Sequence, residues 1–158
     1  MNPRFVIRER MESDTVALAE IFRRSIRDVA SRDYRQAQIE AWVRFADDSN
    51  VWEERMRARQ VWVAVDDDGP IGFVQFDPPD HIDLTYVLPD RQRQGVATAL
   101  LSFVEVAARA EGAKVLNVEA SITSRPFFAA RGFQTIAPQI VKVHGQEFLN
   151  YRMEKQLR

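Results

Sequence analysis

The sequence predicts a mixed α/β fold built on one sheet, and three features carry that prediction. Apolar residues first recur at helical spacing, across roughly residues 14–59, and then switch to the shorter period of strands from Gln60 onward. Two turn signals, Asp66-Asp67-Asp68-Gly69 and His144-Gly145, each join apolar runs of a length suited to hairpin arms. A single long amphipathic stretch then separates two strand-like runs, 82–88 and 115–119. A crossover of that kind makes a parallel pair in a sheet that is otherwise antiparallel.

Each element has its own signal. Residues 4–10 alternate charged and apolar side chains as a strand does. Ser13 and Asp14 are capping residues ahead of a helix whose apolar side holds Leu18, Ile21, Phe22, Ile26 and Val29. A second helical stretch, about 35–45, carries Ile39, Trp42 and Val43, and a short charged third one lies near 51–59. Residues 60–65 and 71–76 read as the arms of a hairpin around the acidic turn. Pro78 and Pro79 precede a further strand, 82–88, which Pro89 ends. The next helix opens at Gly95 with Val96, Leu100, Val104 and Ala107 on one face and closes at Gly112. Residues 115–119 are a strand, 124–131 a short helix, and 139–143 with 146–153 a closing hairpin.

Composition narrows the classes of function. A chain of 158 residues suits one domain, 1–158, with a proper core. Its net charge of −1 provides no basic field for nucleic acid, so no nucleic-acid partner is expected. No apolar run approaches the ~20 residues of a membrane span, and the N-terminus lacks a signal-peptide core. The absence of cysteine excludes disulfides and thiolate chemistry and is compatible with a reducing compartment. A cytoplasmic protein, monomer or homodimer, is the expectation. Neither His81 nor His144 has a partner spacing that suggests a metal, and none is expected.

The most informative stretch is Arg91-Gln92-Arg93-Gln94-Gly95-Val96-Ala97-Thr98. A helix start leaves N–H donors free, and the helix dipole adds partial positive charge there. Glycine and alanine let an anion approach the main chain, while Arg91 and Arg93 place full charges at the rim. The stretch reads as a phosphate cradle, or alternatively as a helix start that needed one flexible residue. It is neither a P-loop nor a dinucleotide fingerprint, because G-x-x-x-x-G-K-[ST] and G-x-G-x-x-G are both absent.

Gln92, Gly95 and Ala97 fill the pattern Q/R-x-x-G-x-G/A after a strand ending Tyr86-Val87-Leu88-Pro89-Asp90. This resembles the GNAT superfamily of acetyl-CoA-dependent N-acetyltransferases. A later block, residues 121–133, is similar to the family pattern N-x-x-A-x-x-F-Y-x-x-x-G-F. The order of elements agrees over about residues 5–154. The resemblance implies a GNAT-like single mixed sheet of about six to seven strands. It is mostly antiparallel with one central parallel pair that splays, and has helices on both faces. It also implies that the main chain of Tyr86, Val87 and Leu88 bonds the pantetheine arm of acetyl-CoA. The amides of Arg93, Gln94, Gly95, Val96, Ala97 and Thr98, beside Gln92, would hold its pyrophosphate.

Acetyl transfer to an amine needs a neutral nucleophile, donors for the oxyanion and a proton for the leaving thiolate. The resemblance places the usual tyrosine acid at Phe128, so this chain departs from the family there, although Phe128 still lies beside the cofactor position. Ser121, Ser124, Tyr86 and Tyr151 are the hydroxyls available instead, with Ser121 and Ser124 near the thioester. Asp83 and Glu119 are carboxylates inside the two strands expected to line the cleft, and so are candidate bases, or simply wet-face residues. His81, just ahead of the strand that holds Asp83, either relays protons or is a bland loop histidine, and His144 reads as a turn residue. Tyr34 and Trp42, with Phe45, fall in the segment that covers the acceptor side in the family, and either hold an amine acceptor or pack into the core. The expected reaction moves acetyl from acetyl-CoA to a primary amine of a small molecule or protein. An acetyl-CoA-binding regulatory module with weak or no catalysis is the alternative.

Overall fold

The computed structural model describes residues 4–158. They run β1 (Val6–Glu9), α1 (Thr15–Asp28), α2 (Gln36–Val43), α3 (Ser49–Ala58), β2 (Gln60–Asp66), β3 (Gly69–Asp77), β4 (His81–Val87) and α4 (Val96–Ala110). The chain continues through β5 (Val115–Ser121), α5 (Arg125–Ala130), β6 (Gln134–Val143) and β7 (Gln146–Gln156). The strands form one sheet in the order β1-β2-β3-β4-β5-β7-β6. The β4–β5 pair is parallel, and the others are antiparallel.

Each face of the sheet buries its own apolar cluster. On one face α1 inserts Leu18, Ile21, Phe22 and Ile26, joined by Ile39 of α2 and by Trp52 and Met56 of α3. On the other, α4 buries Val96, Leu100, Leu101, Val104 and Ala108, and α5 adds Phe128. Each such side chain stabilises by about 1.5–3 kcal/mol when fully buried, so the stripes fix which helix covers which face. Trp52 Nε1 donates to the Thr15 carbonyl at 3.1 Å, tying α3 to the start of α1.

Several elements differ from the sequence expectation, each for a physical reason. The second helical stretch ends at Val43 and tightens into a 3₁₀ turn over Arg44–Ala46. The third starts earlier than the spacing suggests, because Asp48 accepts the N–H groups of Asn50 and Val51 at 3.0 and 3.2 Å. Asp14 does not cap α1 with its side chain; it accepts both arms of the Arg8 guanidinium at 2.7 and 2.9 Å and the Met11 N–H at 2.8 Å. The last hairpin is longer than 139–153, with β6 reaching back to Gln134 through Pro138. Proline is tolerated there because β6 is an edge strand, with β7 on one side only.

Candidate active site

The parallel pair is short. His81 pairs with Asn117 and Ile82 with Val118, and beyond them β4 and β5 diverge. Two features drive the splay. A bulge opposite Gln75/Phe76 shifts the register of β4 around Asp83. Meanwhile β5 stays paired with β7 over its whole length, Val115–Ser121. The second half of β4 is therefore hydrogen-bonded to β3 alone. Leu88 N–H bonds the Ile71 carbonyl at 2.8 Å, so by alternation the main-chain groups of Thr85 and Val87 face away from β3, into the gap, while those of Tyr86 and Leu88 face β3, which corrects the expectation that these two open toward a pantetheine arm. The Val87 carbonyl accepts the Gln92 Nε2–H at 2.9 Å, which pins the motif glutamine to the strand it follows.

The gap is a cleft of about 400 Å³. It brings together Asp83, Tyr86 and Val87 from β4, Glu119 and Ser121 from β5, and Ser124 and Phe128 at α5. Gln92 and Ala97 line its end nearest α4, and Tyr34 and Trp42 belong to its aromatic wall. Leu88, Arg93, Gln94, Gly95, Val96 and Thr98 lie outside this lining, around the mouth of α4. There Gly95 sits at φ 82°, a left-handed conformation natural to glycine. The first intrahelical bond runs from the Ala99 N–H to the Gly95 carbonyl, 3.0 Å. The N–H groups of Val96, Ala97 and Thr98 consequently open outward as anion donors.

The rim charge differs from the sequence expectation. Arg91 is spent on three carboxylates, Asp66 at 3.0 Å, Asp68 at 2.9 Å and Asp90 at 3.0 Å, because the acidic β2–β3 turn folds back onto it. The cation delivered to α4 is instead Arg131, at the end of α5. Its Nε and Nη2 donate to Thr98 Oγ1 at 2.9 and 2.6 Å, and its guanidinium lies 4.0 Å from the Phe127 ring centroid. Among the described residues no carboxylate lies within 4 Å of it. The contact joins positions 33 apart in sequence, so no local signal marks it.

The two candidate bases differ in their company. Asp83 faces Arg59 Nε at 3.3 Å and Arg55 Nη2 at 3.8 Å, two cations that compete for its lone pairs. Glu119 Oε2 lies 2.5 Å from His81 Nε2. His81 is thus a β4 residue with a carboxylate partner, correcting its reading as a lone loop histidine; parallel pairing with β5 brings the two side chains together. The bond to Glu119, against the effect of burial, raises the His81 imidazole above its ordinary range, with Asp83 and Asp77 contributing. The same bond, again against burial, holds the Glu119 carboxyl below its ordinary range, with Arg152 contributing.

At the β5–α5 end of the cleft Ser121 Oγ accepts the Ser124 N–H at 3.0 Å and donates to Ser124 Oγ at 3.0 Å. That leaves the Ser124 hydroxyl proton free for another acceptor. Phe128 is 3% exposed and packs edge-on against Phe127 and Phe133, each 5.1 Å away. Tyr151 does not line the cleft and stacks under Arg125 at 4.0 Å. Burial pushes the Tyr86 phenol up, with its ring edge-on to Phe22 at 4.9 Å, so it stays protonated. Tyr34 donates to the Leu149 carbonyl and accepts the Ile122 N–H, both at 2.9 Å, so its hydroxyl braces the β5–α5 loop. Its ring forms a cluster with Trp42 at 5.4 Å and Phe148 at 5.7 Å. Thr85 Oγ1 and Asn150 Oδ1 are buried cleft-lining atoms without a partner among the described residues. Two orphaned polar atoms beside an open strand edge suit a ligand bearing amides.

Comparison with known proteins agrees with this geometry. The family model described as the acetyltransferase (GNAT) domain matches residues 30–155. The chain is 38% identical over 147 residues to the uncharacterized N-acetyltransferase YafP of Escherichia coli (strain K12), with 93% of each chain covered. A GCN5-related N-acetyltransferase structure from Rhodopseudomonas palustris superposes at a TM-score of 0.95 with 34% identity, covering 99% of this chain and 97% of the other. The fold also matches Salmonella typhimurium YncA, a structure holding acetyl-CoA, at a TM-score of 0.65 and 20% identity, over 98% of this chain and 94% of that one. This chain belongs to the GNAT acetyltransferase family. It is an acyltransferase.

Proposed function

We propose that the protein transfers the acetyl group of acetyl-CoA to the primary amine of a small molecule that carries an apolar or aromatic body, by direct attack on the thioester. The observation that carries this reading is the meeting of Glu119, Ser121 and Ser124 on one cleft with the open edge of β4. The main chain of Thr85 and the N–H of Val87 bond the pantetheine amides, and the mouth of α4 with Arg131 receives the phosphates. An amine opposite the thioester lies against Tyr34, Trp42 and Phe148, a wall suited to a flat apolar substituent. Glu119 is the base, because Asp83 is engaged by two guanidinium groups. The Ser124 hydroxyl donates a hydrogen bond to the departing thiolate, the part that Phe128 cannot play. A thiol pKa near ~8.5 makes that thiolate a tolerable leaving group without a strong acid. The two cores share one sheet, which supports reading residues 1–158 as one acetyltransferase domain.

The test is incubation with acetyl-CoA and a panel of amines, with release of free thiol measured. Arylalkylamines are expected to react faster than polyamines, aminosugars or a lysine peptide. Faster reaction of the peptide would overturn the acceptor assignment. Binding of acetyl-CoA with no thiol released by any amine would favour the regulatory reading.

A further inference from the structure

Asn150 of β7 carries a side-chain carbonyl with nothing to bind. Its Oδ1 is buried and has no hydrogen-bond partner among the described residues, and the residue lines the cleft. Strand register decides which part of the cleft it serves. Asn150 stands opposite Ser121, and Phe148, two residues earlier on the same face of β7, lies in the cluster under α1 and α2. Thr85, the other orphan of the cleft, pairs with Val74, which belongs to the α4 cluster, so its hydroxyl is on the opposite face. Asn150 therefore shares its face with Ser121 and Glu119, beside Tyr34 and Trp42.

The donors around this carbonyl are committed elsewhere. Ser121, directly across the strand pair, gives its hydroxyl proton to Ser124 Oγ at 3.0 Å. Tyr34 gives its own to the Leu149 carbonyl at 2.9 Å and takes the Ile122 N–H at 2.9 Å, which clamps the chain on both sides of the Asn150–Ser121 pair. The Phe148 ring, packed against Tyr34 and Trp42, has no donor to offer. An acceptor buried without a partner is costly, and such a group on the lining of a cleft marks where the donor of a ligand goes.

We propose that Asn150 Oδ1 accepts a hydrogen bond from the N–H that the acceptor amine keeps through the reaction, and that this bond selects primary over secondary amines. The proposal rests on the acetyltransferase reading above. A neutral primary amine has one lone pair and two hydrogens. The lone pair forms the C–N bond, the C–S bond breaks with its electron pair on sulfur, and one hydrogen leaves as a proton to Glu119. The thiolate later takes a proton from solvent. The second hydrogen stays on nitrogen and becomes the amide N–H of the product. Glu119 and Asn150 are diagonal neighbours across β5 and β7, with Cβ atoms roughly 7–8 Å apart or less, so a nitrogen between them can reach both. With its body against Tyr34, Trp42 and Phe148 and both hydrogens held, the amine has only its lone pair left to aim at the thioester. A secondary amine has just the hydrogen that is lost, and sets a carbon against Oδ1 instead.

The experiment measures kcat/KM for an arylalkylamine and for its N-methyl counterpart, at saturating acetyl-CoA, in the wild type, Asn150→Leu and Asn150→Ala. Leucine keeps much of the volume and removes the acceptor; alanine removes the acceptor and adds no bulk. In both variants kcat/KM for the primary amine is expected to fall about tenfold, the scale of one lost hydrogen bond, with a much smaller fall for the N-methyl amine. KM for acetyl-CoA should stay within about twofold. The Tm of Asn150→Leu should hold or rise, because an unpaired buried acceptor has been removed. Equal losses with both amines together with a lowered Tm would identify a structural asparagine and overturn the assignment. A primary-amine rate kept in either variant, or a preference lost only because the N-methyl amine reacts faster, also overturns it and leaves the acetyltransferase reading intact. Failure of every amine to release thiol from the wild type overturns both.

Discussion

Asp14 shows how much one side chain does in this protein. Its carboxylate is 5% exposed and receives two bonds from Arg8 and one from the Met11 N–H, joining the end of β1 to the turn that starts α1. Burial works against the charged form, but the Arg8 and Met11 bonds outweigh it and hold the Asp14 carboxyl below its ordinary range. The sign of the pH effect follows. A folded pKa below the unfolded value of about 3.9 stabilises the fold above that value, and the contribution is lost as pH falls through the depressed folded pKa. Asp14→Asn is therefore expected to lower stability by about 2 kcal/mol at pH 7, the scale of hydrogen bonds to a charged group. That corresponds to roughly 4–8 °C in Tm. Melting curves from pH 7 to pH 3 should show the gap between variant and wild type closing below about pH 4. A gap that persists undiminished at pH 3 would sink this account. The sequence offered Asp14 as a capping residue, and only the fold revealed Arg8 as its partner.

Among the elements, α4 must sit low on the sheet for its mouth to meet the open edge of β4. Gly72 of β3 allows it. A Cβ there would stand 3.0 Å from Val96 Cγ1, 3.2 Å from the Tyr86 carbonyl oxygen and 3.2 Å from Val87 Cγ2, the first turn of α4 and the edge of the cleft together. Overpacking of this kind typically costs about 1–3 kcal/mol. Gly72→Ala should lower the Tm and raise KM for acetyl-CoA several-fold, since the helix mouth and strand edge move apart. Loss of stability with an unchanged KM would mean that the placement of α4 does not govern cofactor binding. Nothing in the sequence distinguishes Gly72 from any glycine in a strand, because the constraint comes from a helix 24 residues later. Gly95 was legible for the opposite reason: its backbone conformation is a local property of the helix start, and a Cβ there meets nothing within 4 Å.

At the scale of the whole molecule, acetyl-CoA bound as proposed would bridge β4, the α4 mouth and α5, so its binding should stabilise the fold. A ligand at a hundredfold excess over Kd that binds only the folded state adds about 2.7 kcal/mol, or roughly 5–11 °C in Tm. Thermal melts should show that rise with acetyl-CoA, a smaller one with pantetheine lacking the phosphates, and a smaller one again for acetyl-CoA in high salt. Equal shifts for acetyl-CoA and pantetheine would refute the phosphate role of the helix mouth.

What the sequence by itself determined is whatever depends on neighbours along the chain. The stripes of α1 and α4, the hairpin turns, the helix start at Gly95 and the sheet with one parallel pair all follow from short-range period and backbone preference. What only the tertiary structure decided depends on strands and helices distant in sequence. Arg91 was neutralised by a turn 23 residues away, and Arg131 took its place from 33 residues beyond Thr98. His81 gained Glu119 across 38 residues of chain. A charge is worth what it faces, and what it faces is fixed by packing rather than by its neighbours in sequence.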